Sequence, residues 1–133
     1  MIRFAGYAAL FDRVDRAGDV IRRGAFAGVG TAIATVPLLW QHRGAPVGSI
    51  DLIDEDDRGL RVEGVVTHPE AARLVRGGAL PGLSVGYRPL VVQQGAWREL
   101  ARVALVEVSL VAVPMQPLAR IDRVQSVSSE GVS

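Results

Sequence analysis

The chain has 133 residues, enough for one domain with a single core and too few for a second domain of ordinary size. Its 49% apolar and 22% charged residues are typical of a soluble globular protein, and its net charge of +1 gives no general attraction for nucleic acid. Cysteine and lysine are absent, which excludes disulfides, thiolate nucleophiles and lysine-dependent chemistry. No apolar run reaches the roughly 20 residues of a membrane span, so we expect no membrane as a partner. The small net charge likewise leads us to expect no nucleic acid as a partner.

The N-terminal region is predicted to hold one strand, a long loop and a short helix. Residues 2–10 alternate loosely, which indicates a strand. Residues 11–24 are polar and predict a surface loop, and residues 25–35 are small and apolar enough for a short helix. A metal site in the loop is an alternative that four interleaved arginines disfavour; its carboxylates would be those of Asp12, Asp15 and Asp19.

Three strands and an acidic turn are predicted next. Residues 37–42 (PLLWQH) form a strand that ends at His42, and residues 46–53 continue as another strand. The acidic stretch 54–59 lacks the alternating ligands of a calcium loop, which favours a hairpin tip. Residues 60–66 alternate cleanly and predict the returning strand.

The second half of the chain is predicted to contain one helix and two long strands. Pro69 suits the first helical position, and Gly77 with the glycine after it supplies the stop. Residues 81–89 (PGLSVGYRP) predict the next strand. Residues 97–113 are too long for one straight strand, so we expect two strands or one sharply bent strand near residues 102–106.

These elements predict a mainly β protein with inserted helices, of the α+β class. An antiparallel β-barrel of about seven strands is the expected architecture, with a sandwich as the alternative. Residues 1–121 form the predicted domain. Residues 122–133 are polar and rich in serine, and they predict a mobile C-terminal tail.

Ser84 is the candidate nucleophile. It stands on a strand face that is otherwise formed by Gly82 and Gly86, where another backbone or a ligand can approach closely. The alternative is a structural serine that donates a hydrogen bond to a neighbouring carbonyl. A serine hydroxyl holds its proton at neutral pH, so the catalytic interpretation requires a base and a third group that orients the base.

His42 is the candidate base. It ends an apolar strand and precedes a loop that contains glycine, whereas His68 lies at the start of the predicted helix. A capping role on the surface is the simple interpretation of His68. Between the two histidines of the chain, His42 therefore fits the catalytic interpretation better.

Glu107 is the candidate third residue. It lies within VALVEVSLV, where an unpaired carboxylate would be costly, so it must have a partner. That partner is either the imidazole of His42 or an arginine such as Arg88 or Arg102. Ser109 lies on the same strand face and could add a hydrogen bond.

Other kinds of site lack support in the sequence. There is no glycine-rich phosphate loop and no His-x-x-x-His pair, so we expect no cofactor and no metal. The stretch GLSVG matches a hydrolase nucleophile elbow only by letter, because strand-like sequence continues past Ser84 where that elbow requires a turn and a helix.

Several short blocks together resemble the HK97-type phage prohead maturation proteases. The resemblance covers roughly residues 4 to 120, and the blocks follow the order of that family. The blocks are Gly6–Ala8, Gly18–Ile21, Gly24–Phe26, Trp40–His42, Pro46–Gly48, Leu83–Tyr87 and Glu107–Val111, the last followed by Pro114 and Ala119. Arg43 departs from the family pattern, in which an acidic residue commonly follows the histidine.

The resemblance implies a serine endopeptidase that trims capsid protein, and sometimes scaffold protein, inside an immature phage head. It implies a fold similar to that of herpesvirus assembly proteases, which have a β-barrel surrounded by helices. The family's nucleophile carries over to Ser84, its base to His42 and its third residue to Glu107, whereas herpesvirus enzymes use a second histidine as the third residue. The implied partner is the major capsid protein. A homodimer is also implied, as is a location in the cytoplasm of the bacterial host with assembling proheads.

Two rival functions remain open at this point. One is a catalytically inactive assembly or scaffold protein that retains the protease fold. The other is a generic β-barrel binding module, for which the order of the matching blocks would be accidental. Neither rival requires a carboxylate within an apolar strand, whereas a catalytic triad does.

Overall fold

The computed structural model describes residues 1–30 and 35–127. These residues form eight strands and one α-helix. In chain order the elements are β1 (Ile2–Leu10), β2 (Asp19–Ile21), β3 (Leu38–Trp40), β4 (Arg43–Glu55), β5 (Gly59–Val66), α1 (Pro69–Arg76), β6 (Gly82–Gln94), β7 (Arg98–Val111) and β8 (Ile121–Ser126).

The strands form one sheet in the order β2-β7-β3-β4-β5-β1-β8, with β6 paired to β7. Strand β7 pairs antiparallel with β6, and it pairs in parallel with β2 near its start and with β3 near its end. The prediction of a wholly antiparallel arrangement is therefore wrong at β2 and β3. Both β2 and β3 are distant from β7 in the chain, and periodicity does not reveal which distant strands pair.

The sheet accounts for most of the predicted strands, adds β2 and contains one strand in the stretch 97–113. Strand β2 lies within the predicted loop 11–24, where pairing with the start of β7 orders Asp19–Ile21. Residues 97–113 hold one strand rather than two, and its ladder with β6 has register irregularities between Glu107 and Leu100. No closed ring is formed by the strand ladders of the described residues, so barrel closure stays a prediction.

The ends of the chain and the predicted first helix differ from expectation as well. Residues 122–126, assigned to the tail from their polarity, belong to β8, which pairs with β1 along one exposed edge. Residues 128–133 lie outside the described part, so the division into domain and mobile tail stays a prediction. Residues 25–28 form turns rather than an α-helix, and residues 31–34 lie outside the described part.

Helix α1 begins where the sequence predicts. His68 is its N-cap and its side chain accepts a hydrogen bond from Ala71 N, Pro69 follows, and Gly77 is the C-cap. The capping role predicted for His68 is thereby confirmed. No helix in residues 1–30 and 35–127 is both long and apolar enough to cross a bilayer.

The core lies between the faces of the curved sheet and α1. Alternate residues of β5 point into it, because from Leu60 to Val66 buried positions alternate with half-buried ones. The largest fully buried side chains are Phe26, Ile2, Ile21, Leu38, Leu60, Leu83, Leu100 and Leu110. Two of them, Leu83 and Leu110, pair across β6 and β7, so the core fixes how these two strands face each other.

Candidate active site

The site is built around the last part of β7, which lies between β3 and β6. On one side, Ser84 of β6 stands directly opposite Ser109, and Gly86 stands opposite Glu107. On the other side, Leu39 of β3 pairs with Ser109. Strand β7 therefore brings together the strand that carries the predicted nucleophile and the strand that leads to the predicted base.

Alternation places the polar residues of this region on one face of the sheet. Ser84, Glu107 and Ser109 point away from the core, while Leu83 and Leu110 point into it. All three polar residues are nevertheless buried, with exposed fractions of 6%, 7% and 0%. The carboxylate of Glu107 therefore lies in a largely water-excluded position and needs partners.

Gly86 makes room for the carboxylate of Glu107. A Cβ atom at Gly86 would lie 2.5 Å from Glu107 Oε1, closer than nonbonded atoms approach. At Gly82 a Cβ atom would lie 2.8 Å from the Cδ of Pro114, which covers the same face. The two glycines that flank Ser84 thus allow close packing, as the sequence predicts for a face of small residues.

His42 occupies a turn rather than the end of a strand. Trp40 pairs with Arg43, so Gln41 and His42 form a two-residue hairpin loop between β3 and β4. Their φ angles are 54° and 63°, in the left-handed region that non-glycine residues rarely adopt. The stretch PLLWQH predicts a strand through His42 because it is apolar almost to its end, and no glycine or asparagine stands at the turn to reveal the loop.

Glu107 is held by His42 and Ser109. Its Oε1 lies 2.5 Å from Nδ1 of His42, and its Oε2 accepts a hydrogen bond of 2.6 Å from the Ser109 hydroxyl. The same hydroxyl oxygen accepts the backbone N–H of His42 at 3.0 Å. Of the partners that the sequence leaves open, the structure selects the imidazole; within residues 1–30 and 35–127, Glu107 has no ion pair with Arg88 or Arg102.

The structure brings two of the three predicted site residues into contact and places the third on the neighbouring strand, opposite Ser109. His42 and Glu107 are joined directly, and His42 remains 45% exposed at its side chain. Ser84 is positioned by its pairing with Ser109, and among the described residues no hydrogen bond joins it to His42. The imidazole is therefore oriented by the carboxylate while one of its edges stays open to solvent.

The three aspartates considered as a metal site have other partners. Asp12 pairs with Arg22 at 2.9 Å, and Asp15 Oδ1 accepts backbone hydrogen bonds within its own loop. Asp19 receives two hydrogen bonds from Arg98, of 2.7 and 2.8 Å. In the described part of the chain, no cluster of three potential metal ligands occurs.

The Asp19 contact is a structural feature that sequence analysis missed. Hydrogen bonds from Arg98, and then one of 3.1 Å from the Tyr87 hydroxyl, hold the pKa of this buried carboxyl below its usual range against the opposing effect of burial. Burial in turn raises the pKa of the Tyr87 hydroxyl well above its ordinary value. Asp19 and Arg98 are 79 positions apart in the chain, so no local pattern connects them.

Gln41 is a second residue that sequence analysis did not single out. Its side-chain Oε1 accepts a hydrogen bond of 2.7 Å from the backbone N–H of Ala112, just beyond the end of β7. Its own N–H donates to the carbonyl of Leu110 at 3.0 Å. In the sequence, Gln41 is marked only by its place in the Trp40–His42 block, next to His42.

Solved structures with a similar fold include two of the protease of Kaposi's sarcoma herpesvirus. A complex with an allosteric inhibitor matches with a TM-score of 0.56 at 15% identity, over 96% of this chain and 78% of that chain. A complex with a hexapeptide phosphonate inhibitor matches with a TM-score of 0.52 at 16% identity, over 86% of this chain and 61% of that chain. At such low identity the likeness shows the fold alone, and it agrees with the herpesvirus protease-like, mainly β fold that the resemblance implies.

Sequence comparison gives a more specific result. The chain is 37% identical over 92 residues to the prohead protease of Enterobacteria phage HK97, a match that covers 63% of this chain and 41% of that protein. The chain thus matches less than half the length of this relative. The family model described as "Caudovirus prohead serine protease" matches residues 1–132, nearly the whole sequence. The chain belongs to the Caudovirus prohead serine protease family.

Proposed function

We propose that this chain is a serine endopeptidase that cleaves the major capsid protein, and scaffold protein where one is used, during maturation of a phage prohead. The observation that carries the proposal is the 2.5 Å contact between His42 Nδ1 and Glu107 Oε1. Glu107 lies on β7, which pairs with β6, the strand of Ser84. Family membership and the name of the HK97 relative supply the substrate class.

In the proposed reaction, Ser84 Oγ attacks the scissile carbonyl carbon while His42 Nε2 takes the hydroxyl proton. Glu107 fixes Nδ1 as the protonated nitrogen and stabilises the imidazolium that forms. His42 then gives its proton to the leaving amine as the peptide bond breaks and the acyl-enzyme forms. A water molecule, deprotonated by His42, hydrolyses the acyl-enzyme and restores Ser84.

The geometry required for the first step develops on substrate binding. Catalytic hydrogen bonds are commonly long or unaligned before substrate is present, and they shorten in the reactive complex. Ser84 stands opposite Ser109, whose hydroxyl oxygen already binds the backbone of His42. The strand that carries Ser84 and the turn that carries His42 are therefore both held by contacts with Ser109 of β7.

The pairing of the buried Glu107 with the partly exposed His42 favours this proposal over the inactive scaffold protein. Taking a carboxylate out of water is costly, and a protein that needed only the fold could use an apolar residue at position 107. The site instead contains the carboxylate and its imidazole partner, and Ser84 lies on the neighbouring strand β6. A generic binding module gives no reason for this set.

We further infer a barrel-like architecture and a homodimer for the working protein. The start of β6 and the residue that precedes β8 meet at an isolated bridge between Gly82 and Arg120, flanked by a hydrogen bond of 2.9 Å from Leu83 N to Ala119 O. A ring of strands closed at this bridge agrees with the barrel expected from the sequence.

Weak self-association should make specific activity rise with protein concentration, which sedimentation together with activity assays would test.

Co-expression with the major capsid protein of the same phage tests the proposed function. Intact-mass and N-terminal peptide analysis of the capsid protein should show cleavage with the wild-type chain and none with Ser84→Ala. The Ser84→Ala protein should fold normally, since the substitution removes one oxygen from a face of small residues. Normal processing by a folded Ser84→Ala variant would exclude Ser84 as the nucleophile. Capsid assembly without any cleavage by the wild type would favour the scaffold protein.

A further inference from the structure

We propose that Gln41 is a positioning residue, whose side chain clamps the turn that carries His42 to the end of β7. The proposal rests on the proposed function, because it concerns how the base is presented to Ser84. It also describes a physical contact, 2.7 Å between Gln41 Oε1 and Ala112 N, that can be measured without any activity.

The turn has an unfavourable backbone conformation for its sequence. Two-residue hairpin loops with positive φ at both central positions normally use asparagine, aspartate or glycine. Here Gln41 and His42 fill those positions, with φ angles of 54° and 63°. Left-handed conformations of such residues persist only where the surrounding structure enforces them, and they are concentrated at functional sites.

Strand β7 and the residue after it supply the contacts that enforce this conformation. The backbone N–H of Gln41 donates to the carbonyl of Leu110 at 3.0 Å, and the backbone N–H of His42 donates to Ser109 Oγ at 3.0 Å. The side-chain carbonyl of Gln41 accepts a hydrogen bond from the backbone N–H of Ala112, the residue that follows β7. Both residues of the turn are thus held from the same strand end that positions Glu107.

The side-chain contact of Gln41 differs from the others because it lies outside the β3–β7 ladder. The ladder ends with Trp40 opposite Leu110, so the amide of Ala112 has no strand partner from β3. Gln41 reaches over the end of the ladder to satisfy that amide. A glutamine has the length for this contact, while an asparagine is one methylene shorter but adopts positive φ more readily.

The difference between glutamine and asparagine gives a test, because Gln41→Asn should not lower the melting temperature but should slow the reaction at Ser84. Gln41→Asn relieves the backbone and should keep or raise the melting temperature, but it loses the contact with Ala112. If the clamp positions His42, the rate at which Ser84 Oγ displaces fluoride from a fluorophosphonate probe should fall by about 10- to 100-fold. The apparent affinity for the probe should not change. Gln94→Asn, the same substitution at the exposed end of β6, is the matched control and should leave the rate unaltered.

Two NMR measurements test the clamp directly. The Ala112 amide should exchange slowly in the wild type and faster in Gln41→Asn, and the downfield proton signal of His42 Nδ1–H should shift or broaden in that variant. A Gln41→Asn protein with wild-type labelling rate and an unchanged His42 signal would overturn the proposal. So would rapid exchange of the Ala112 amide in the folded wild type, a result that does not require any variant to fold.

Failure of the clamp and failure of the proposed function are distinguishable. If wild type and Ser84→Ala react equally with the probe, the nucleophile assignment fails, whatever Gln41 does. If wild type reacts at Ser84 and Gln41→Asn reacts at the same rate, only the clamp fails.

Discussion

Two buried carboxylates lie near opposite ends of β7, and they are satisfied in different ways. Asp19, beside the start of the strand, receives two hydrogen bonds from Arg98 at 2.7 and 2.8 Å. Glu107, near the end, contacts the imidazole of His42 at 2.5 Å and the hydroxyl of Ser109 at 2.6 Å. Their exposed fractions are almost equal, 5% and 7%, so burial alone does not explain the difference.

We propose that the choice of partner separates a structural carboxylate, Asp19, from a catalytic one, Glu107. An arginine stays charged throughout and binds a carboxylate through a planar fork, which suits a fixed link between β2 and β7. An imidazole can accept a proton and return it during a reaction. The absence of an arginine beside Glu107, among the described residues, leaves its charge available to stabilise an imidazolium at His42.

Removing the imidazole should have the largest effect at the Glu107 end. His42→Ala should lose as much activity as Ser84→Ala, because members of a triad act as a unit and their effects do not add. His68→Ala is the matched control; it removes a helix cap, worth roughly 0.5–2 kcal/mol of stability, and should remain active. Cleavage assays on both variants at matched concentration decide between the two histidines. An active His42→Ala with an inactive His68→Ala would mean that the base is His68.

Replacing the carboxylate by an amide should have the next largest effect. Glu107→Gln keeps the shape of the side chain but gives Nδ1 of His42 the wrong hydrogen-bonding partner. By analogy with other triads, activity should fall on the order of 10⁴-fold while the protein stays folded. A melting curve and a cleavage assay on this one variant are sufficient. An active but strongly destabilised Glu107→Gln would make Glu107 structural and leave a dyad of Ser84 and His42.

Replacing the carboxylate at the other end of β7 by an amide should lower the stability of the protein instead. Asp19→Asn leaves the guanidinium of Arg98 and the hydroxyl of Tyr87 without their carboxylate. Since Arg98 is 43% exposed and keeps contact with water, we expect a loss of about 1–3 kcal/mol. Asp51→Asn, which breaks the exposed pair with Arg3, is the control and should cost less than about 1 kcal/mol.

Urea unfolding of the two variants measures this difference. Equal losses for Asp19→Asn and Asp51→Asn would mean that the Asp19 contact is no stronger than a surface ion pair.

The smallest expected effect is a pH dependence of stability from Asp19. Hydrogen bonds from Arg98 lower the pKa of the folded-state carboxyl, so the folded protein binds a proton there less readily than the unfolded chain. The resulting stabilisation is fully present above the unfolded pKa, about 3.9, and is lost as pH falls through the lower folded value. Melting temperatures of wild type and Asp19→Asn should therefore converge as the pH is lowered below about 4. Curves that stay parallel would contradict this.

The Glu107 end could be predicted from sequence to a greater extent than the Asp19 end. The two-residue period of a strand places Glu107 and Ser109 of VALVEVSLV on one face, and the apolar context demands a partner for the carboxylate. Periodicity does not tell which strands flank β7, so it left His42, Arg88 and Arg102 open as partners. The ladder with β3 decides between them.

The features that sequence analysis missed depend on long-range pairing. Strand β2 has only three residues within a polar segment, and it is ordered by the start of β7. Strand β8 carries Asp122 and Arg123 on an exposed edge, so its polarity resembles that of a tail. The turn at His42 lacks the residues typical of positive φ, and its conformation depends on contacts from β7.

Labelling of the wild-type protein with a fluorophosphonate, followed by peptide mapping, tests the central claim most directly. Only a serine whose proton is removed by a positioned base reacts at a useful rate. We predict a single adduct on Ser84 in the wild type, no adduct in Ser84→Ala or His42→Ala, and strongly slowed labelling in Glu107→Gln. A folded wild-type protein that forms no adduct, or one that reacts at a different serine, would contradict the assignment of Ser84, His42 and Glu107.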